Sequence, residues 1–126
     1  MRLSAVFALT ALLSLPLLVT AHVTDITSVQ AFNTFSQTDP AVLIVIDFYA
    51  TWCKPCEAFA PKFESLSTKY STVRFAKVNV DALSTITLKY NVTSMPTFVL
   101  MKNGIEVERI SGGDKKKLEA AIKKHK

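Results

Sequence analysis

The sequence has few of the residues that build metal centres. Its 126 residues include only two cysteines and two histidines. The histidines, His22 and His125, lie far apart in the sequence, whereas a structural zinc ion needs four ligands held together. The sequence therefore predicts no metal site, and the two cysteines need another explanation.

Signatures of nucleotide and nucleic-acid binding are also missing. No Gly-x-Gly-x-x-Gly run occurs, so nothing predicts a nucleotide cofactor. The formal net charge is +5, but the lysines concentrate in residues 115–117 and 123–126, with no aromatic residues among them for base stacking. We interpret these lysines as the solvated face of a helix, and we expect no cofactor and no nucleic-acid partner.

The N-terminal segment differs from the rest of the chain. Arg2 is followed by an uncharged, mostly apolar run over residues 3–19, and the small residue Ala21 comes shortly after it. A charged start, an apolar middle and a small residue are typical of a secretory signal. We predict a cleaved signal peptide over residues 1–21 and one domain over residues 22–126. The predicted location is outside the cell or in the lumen of the secretory pathway, without membrane attachment after cleavage. An uncleaved signal anchor and a mitochondrial presequence are the alternatives.

Residues 22–126 alternate between helical and strand patterns. Apolar residues make up 49% of the whole chain, which argues against intrinsic disorder. The predicted order is helix, strand, helix, strand, helix, hairpin and helix. Such alternation predicts an α/β fold, in which a central mixed β-sheet is flanked by helices on both faces.

Four local patterns mark the main elements. Thr27 and Gln30 form a capping box that opens a first helix, with Val29, Phe32 and Phe35 facing inward. The apolar run over residues 41–50 predicts a strand buried on both faces. A helix with inward-facing aromatic residues starts around residues 53–55. The hairpin turns at residues 103–104, and Asp114 caps the last helix.

The two cysteines, Cys53 and Cys56, lie at the start of the helix that follows this buried strand. A structural disulfide is one interpretation, but closing so short a loop removes little entropy from the unfolded chain. The positive end of a helix stabilises a thiolate, which favours redox chemistry. We expect Cys53 to be the more exposed of the two and to attack a substrate disulfide. Cys56, one helical turn later, would resolve the mixed disulfide.

Four segments together resemble the thioredoxin family. They are the run over residues 45–56, Lys77-Val78-Asn79-Val80-Asp81, Ser94-Met95-Pro96-Thr97-Phe98 and Lys102-Asn103-Gly104. The resemblance covers residues 23–126. It implies the thioredoxin fold and the activity of a protein-disulfide reductase, without a cofactor.

The resemblance also implies roles for individual residues. Asp47 is a carboxylate in an apolar strand; burial should raise its pKa, and the family assigns it proton transfer with Cys56. Lys77 is the nearby charge that moderates Asp47, although an outward-facing lysine is the alternative. Pro96 is implied to follow a cis peptide bond beside the cysteines. The implied substrate-docking residues are Trp52, Lys54, Pro55, Met95 and Pro96. For Trp52, burial in the core is the alternative.

Two features depart from the family pattern. Lys54 occupies a position where glycine is usual, and a cation beside Cys53 should favour the thiolate and make the protein a stronger oxidant. The predicted signal makes the Asn91-Val92-Thr93 sequon a candidate glycosylation site.

Partners and competing functions follow from the same resemblance. The expected partners are disulfide-containing proteins and a thioredoxin reductase or another thiol donor, and we expect a monomer. A secretory disulfide oxidase or isomerase is an alternative, and so is a non-catalytic docking or chaperone module.

Overall fold

The computed structural model describes residues 22–126, so the predicted signal peptide lies outside the described residues. Nine elements follow one another along the chain: β1 (Val23–Ile26), α1 (Val29–Ser36), β2 (Ile44–Tyr49), α2 (Lys54–Lys69), β3 (Arg74–Asn79), α3 (Ser84–Lys89), β4 (Thr97–Lys102), β5 (Ile105–Ser111) and α4 (Lys115–His125). The strands form one sheet in the order β1-β3-β2-β4-β5. Strands β1, β3 and β2 run parallel, and β4 and β5 add antiparallel pairs. The predicted mixed sheet is confirmed.

Strand β2 at the centre of the sheet divides the core into two layers. Ile44, Ile46 and Phe48 belong to a cluster with buried residues of α1 and α3. Leu43 and Val45 belong to a second cluster with buried residues of α2 and α4. The helices therefore cover both faces of the sheet, which explains why the sequence of β2 is apolar at nearly every position.

The expectation that the domain begins with a helix is wrong. Strand β1 precedes α1 and pairs in parallel with β3 at the edge of the sheet. It has only four residues, of which Ile26 alone is buried and Asp25 is exposed. A strand so short and so polar lacks the continuous apolar run that identified β2.

The start of α1 also differs from the prediction. Ser28, not Thr27, is the N-cap, and its hydroxyl accepts a hydrogen bond from the backbone N–H of Ala31 at 3.0 Å. Val29 then occupies the first helical position and is 44% exposed, whereas Phe32 and Phe35 are buried as expected. The first three residues of α1 are therefore exposed, and the contact with the core begins at Phe32.

The C-terminal elements agree with the sequence patterns. Asn103 and Gly104 have positive φ angles of 55° and 74°, as a type I′ hairpin turn requires. The Asp114 carboxylate accepts a hydrogen bond from the backbone N–H of Lys117 at 3.1 Å and caps α4. Within residues 22–126, no helix has the length and apolarity needed to cross a membrane.

Candidate active site

The two cysteines lie where β2 gives way to α2. Cys53 is the N-cap of α2 with an extended backbone, and Cys56 lies in the first turn. The two form a disulfide across a Cα–Cα distance of 5.3 Å. The Cys53 sulfur also accepts a hydrogen bond from the backbone N–H of Cys56 at 3.2 Å. The helix start therefore directs an N–H donor and its positive end at the Cys53 sulfur, which stabilises negative charge there.

The expected difference in exposure between the cysteines is absent. Cys53 is 6% exposed and Cys56 is 5% exposed. Both sulfurs share one corner of the fold, and the carbonyl oxygen of Met95 lies 3.6 Å from the Cys53 sulfur and helps to cover it. Exposure in this oxidised state does not distinguish an attacking from a resolving sulfur. The position of Cys53 at the N-cap does favour its thiolate.

Asp47 is buried beneath α2 on the same face of the sheet as Val45. Asp47 is one of three polar or charged residues that are buried in the described chain, and it is 5% exposed. Burial raises the pKa of Asp47 from 3.8 to about 7, while the charge of Lys77 acts in the opposite direction. The Oδ1 atom has no hydrogen-bond partner within the described residues. Asp47 is therefore a carboxyl group that can gain or lose a proton near neutral pH.

A cavity connects Asp47 with Cys56. It has a volume of about 230 Å³ and is lined by Asp47, Tyr49, Ala50, Thr51, Cys56, Glu57, Ala60 and Lys77. A space of this size can hold water molecules between the carboxyl group and Cys56. The cavity thus brings Asp47, Lys77 and Cys56 to one common space.

Lys77 lies beside Asp47 in the parallel β2–β3 pair. Its Nζ is 5.5 Å from the centroid of the Tyr49 ring, and its side chain lines the cavity. Lys77 is half-buried, and its role toward Asp47 stays a prediction. Glu57 and Tyr49, which also line the cavity, were not singled out from the sequence. Glu57 directly follows Cys56 in the sequence, and this adjacency could have identified it as a residue near the site.

The loop before β4 lies against the disulfide. The Met95–Pro96 peptide bond is cis, which confirms the prediction for Pro96. The Thr97 hydroxyl donates a hydrogen bond to the carbonyl of Ser94 at 2.6 Å, and the carbonyl of Pro96 accepts one from the backbone N–H of Gly112 at 2.8 Å. These bonds hold the loop from both sides and fix the Met95 backbone beside Cys53.

Trp52 lies on the surface next to the cysteines. It is 65% exposed, so the alternative of a core tryptophan is wrong. Its Nε1–H donates a hydrogen bond to Oδ2 of Asp81 at 2.9 Å, which holds the indole against the end of β3. Lys54 and Pro55 are also exposed. Trp52, Lys54 and Pro55 therefore lie on the surface beside the disulfide, whereas Met95 is half-buried and Pro96 is buried.

The sequon lies on the segment that leads into the Pro96 loop. Asn91 follows α3 with a positive φ of 53°, and both Asn91 and Thr93 are exposed. Arg109 donates hydrogen bonds to the carbonyls of Tyr90 at 2.6 Å and Asn91 at 3.3 Å. The backbone of this turn is therefore held in place while the Asn91 side chain faces solvent.

Comparisons with known proteins agree with this geometry. The family model described as Thioredoxin matches residues 23–124. Thioredoxin-1 of Schizosaccharomyces pombe is 54% identical over 81 residues, which cover 64% of this chain and 79% of the relative. Thioredoxin of Equus caballus is 45% identical over 101 residues, covering 80% of this chain and 96% of the relative. The crystal structure of thioredoxin NaTrxh from Nicotiana alata matches with a TM-score of 0.81 and 38% identity, covering 92% of this chain and 99% of that one.

Proposed function

The chain belongs to the thioredoxin family and is a thiol–disulfide oxidoreductase of the disulfide-reductase type, and from this premise we propose how its residues work. In our proposal Cys53 attacks disulfides of protein substrates, Cys56 resolves the mixed disulfide, and Asp47 exchanges the proton. A thioredoxin reductase or another thiol donor then restores the dithiol. The observation that carries the proposal is the Cys53–Cys56 disulfide at the start of α2, beside a buried carboxyl group.

The first step forms a mixed disulfide. The Cys53 thiolate attacks one sulfur of the substrate disulfide, and a Cys53–substrate bond forms as the substrate S–S bond breaks. The released substrate sulfur takes up a proton. The N–H of Cys56 and the helix dipole favour the Cys53 thiolate that this step needs.

The second step releases the reduced substrate. Cys56 loses its proton to the Asp47 carboxylate and attacks the Cys53 sulfur, and the bond between Cys53 and the substrate breaks. The second substrate sulfur leaves as a thiolate and is protonated. Two electrons have then passed from the protein to the substrate, and Cys53 and Cys56 are joined as in the structure. A pKa of about 7 suits Asp47 for this exchange, because proton transfer is most effective near the working pH.

We propose that substrates dock as an extended segment along the Pro96 loop. The fixed backbone of Met95, 3.6 Å from the Cys53 sulfur, supports pairing of the strand-addition type. Exposed Trp52, Lys54 and Pro55 border the same disulfide and offer one apolar surface and one positive charge. Substrates with an apolar or acidic residue near the disulfide should therefore react fastest.

A disulfide oxidase or isomerase is the second candidate, and one observation favours it. Lys54 is exposed at the first position of α2, next to Cys53. A cation there stabilises the thiolate and thus the reduced protein, which raises the reduction potential. This effect moves the protein toward oxidants without changing the steps above.

We propose a secretory location, supported by the charge and apolar pattern of residues 1–21. In this compartment the exposed Asn91 would be glycosylated, at a point that leads into the docking loop. This part of the proposal would be contradicted if the chain were found only in mitochondria. It would also be contradicted if the chain were retained in membranes with residues 1–21 uncleaved.

Trapping tests the assignment of the two sulfurs. Cys56→Ser should accumulate a mixed disulfide between Cys53 and a disulfide-containing protein such as insulin, visible by mass spectrometry and removed by dithiothreitol. Cys53→Ser, which also leaves one thiol, is the matched control and should trap little. Equal trapping by both variants would contradict the assignment. If a variant with both Cys53 and Cys56 replaced by serine kept the activity of the protein in cells, the result would instead favour a non-catalytic docking or chaperone module.

A further inference from the structure

We propose that Asp25 is a positioning residue that controls proton exchange at Asp47 by sharing the charge of Lys77. The inference rests on the proposed role of Asp47. It comes from strand β1, which places Asp25 beside Lys77 at the edge of the sheet. No feature of the sequence connects these two residues.

The register of the three parallel strands places Lys77 between two carboxylates. Asp25 of β1 is the neighbour of Lys77 on one side, and Asp47 of β2 is its neighbour on the other. Residues in register on parallel strands project to the same face, and adjacent strands lie about 4.8 Å apart. All three side chains therefore belong to the face that α2 covers.

The two carboxylates act on one common region. The charge of Lys77 lowers the pKa of Asp47 against the effect of burial. Burial raises the pKa of Tyr49, and the charges of Asp25 and Asp47 raise it further. The Tyr49 ring lies 5.5 Å from the Lys77 Nζ. The field of Asp25 therefore reaches the cavity in which Asp47 lies.

Lys77 is not committed to either carboxylate. Among the ion pairs of residues 22–126, none includes Lys77. Its flexible ammonium group can thus move toward whichever neighbour is charged. Asp25 is exposed and Asp47 is buried, so Asp25 competes for a cation that would otherwise favour the Asp47 carboxylate.

Few other polar or titratable groups of the described chain lie near Lys77 and Asp47. Tyr49 comes from β2, Glu57 and the disulfide sulfur of Cys56 come from α2, and the neighbour of Asp47 on β4 is the apolar Phe98. Glu57 is exposed in the first turn of α2 and stays unchanged in the test below. Asp25 is the only carboxylate in strand register with Lys77 besides Asp47. Removing the charge of Asp25 should therefore strengthen the interaction of the Lys77 ammonium group with Asp47.

The test measures the pKa of Asp47 directly by NMR titration of its carboxyl carbon. The oxidised protein is used because neither cysteine titrates in the disulfide. Asp25→Asn should lower the pKa of Asp47 by about half a unit to one unit, less than the one to three units that a close opposite charge can supply. Asp39→Asn makes the same charge change at an exposed site in the α1–β2 connection and should leave the value unchanged.

A double-mutant cycle separates this role from a structural one. In a Lys77→Met background, Asp25→Asn should no longer shift the pKa of Asp47, since the shared cation is gone. An unchanged pKa in Asp25→Asn, or an equal shift with and without Lys77, would overturn the proposal. The NMR titration does not depend on turnover, so it tests the Asp25 proposal independently of the catalytic role of Asp47. That catalytic role would instead be contradicted if Asp47→Asn trapped and reduced substrates at normal rates.

Discussion

Replacing Asp47 by asparagine should stabilise the protein, by an amount that grows as the pH rises from about 4 to about 7. The carboxyl group is 5% exposed, and burial raises its pKa from 3.8 to about 7. The folded protein therefore holds this proton more tightly than the unfolded chain does. Stability falls as pH rises from the unfolded to the folded pKa, because in that range the unfolded chain ionises freely while the folded protein keeps the buried carboxyl protonated.

The size of the effect follows from the shift. The difference between about 7 and 3.8 is about 3 units. At 1.36 kcal/mol per unit this corresponds to about 4 kcal/mol at high pH. Asparagine has nearly the same shape and no charge, so Asp47→Asn should recover up to that amount. Near pH 4 the unfolded chain has only begun to ionise at this carboxyl and the folded protein keeps it neutral, so the variant should gain little there.

Urea unfolding of the oxidised protein at about pH 8.5 and about pH 4 measures this difference. Asp39→Asn, which removes an exposed carboxylate, serves as the control and should show no comparable pH-dependent gain. The same Asp47→Asn variant should reduce insulin disulfides about 10- to 100-fold more slowly, since it lacks the proton acceptor. A stability gain of equal size at both pH values, or none at pH 8.5, would refute the reasoning.

Three further predictions concern single positions. Lys54→Gly should raise the pKa of the Cys53 thiol and lower the reduction potential of the cysteine pair by about 10 to 30 mV, measured against glutathione. If neither quantity changed, Lys54 would have no redox role. Expression of the full chain in a eukaryotic secretory host should add a glycan at Asn91 that Asn91→Gln removes, and an intact mass equal to the bare polypeptide would contradict it. Asp114→Ala should cost about 1 kcal/mol in urea unfolding through loss of the α4 cap, whereas Asp114→Asn should cost much less.

The parts of the fold that the sequence predicts are those with strong local signals. The run that became β2 is apolar because both of its faces are covered, and the turn at Asn103 and Gly104 needs positive φ angles that these residue types adopt readily. The cysteine pair lies where a buried strand meets a helix, so its place in the fold was also predictable.

The predictions that were wrong concern features that depend on contacts between segments distant in the sequence. Strand β1 is stabilised by pairing with β3, and its four residues have no pattern of their own. The equal burial of Cys53 and Cys56 depends on the Met95 loop, which is far away in sequence. The relation of Asp25 to Lys77 requires the register of two strands, which no local pattern in this sequence defines.

The equilibrium reduction potential of the Cys53–Cys56 pair tests the central claim most directly. The full chain without its predicted signal would be equilibrated in glutathione buffers, and the thiols quantified by alkylation and mass spectrometry. A reductase should give a value near about −270 mV, raised by Lys54 to no more than about −240 mV. A value of about −180 to −120 mV would mean an isomerase or oxidant. A value below about −300 mV would mean a structural disulfide and would contradict redox function for this pair.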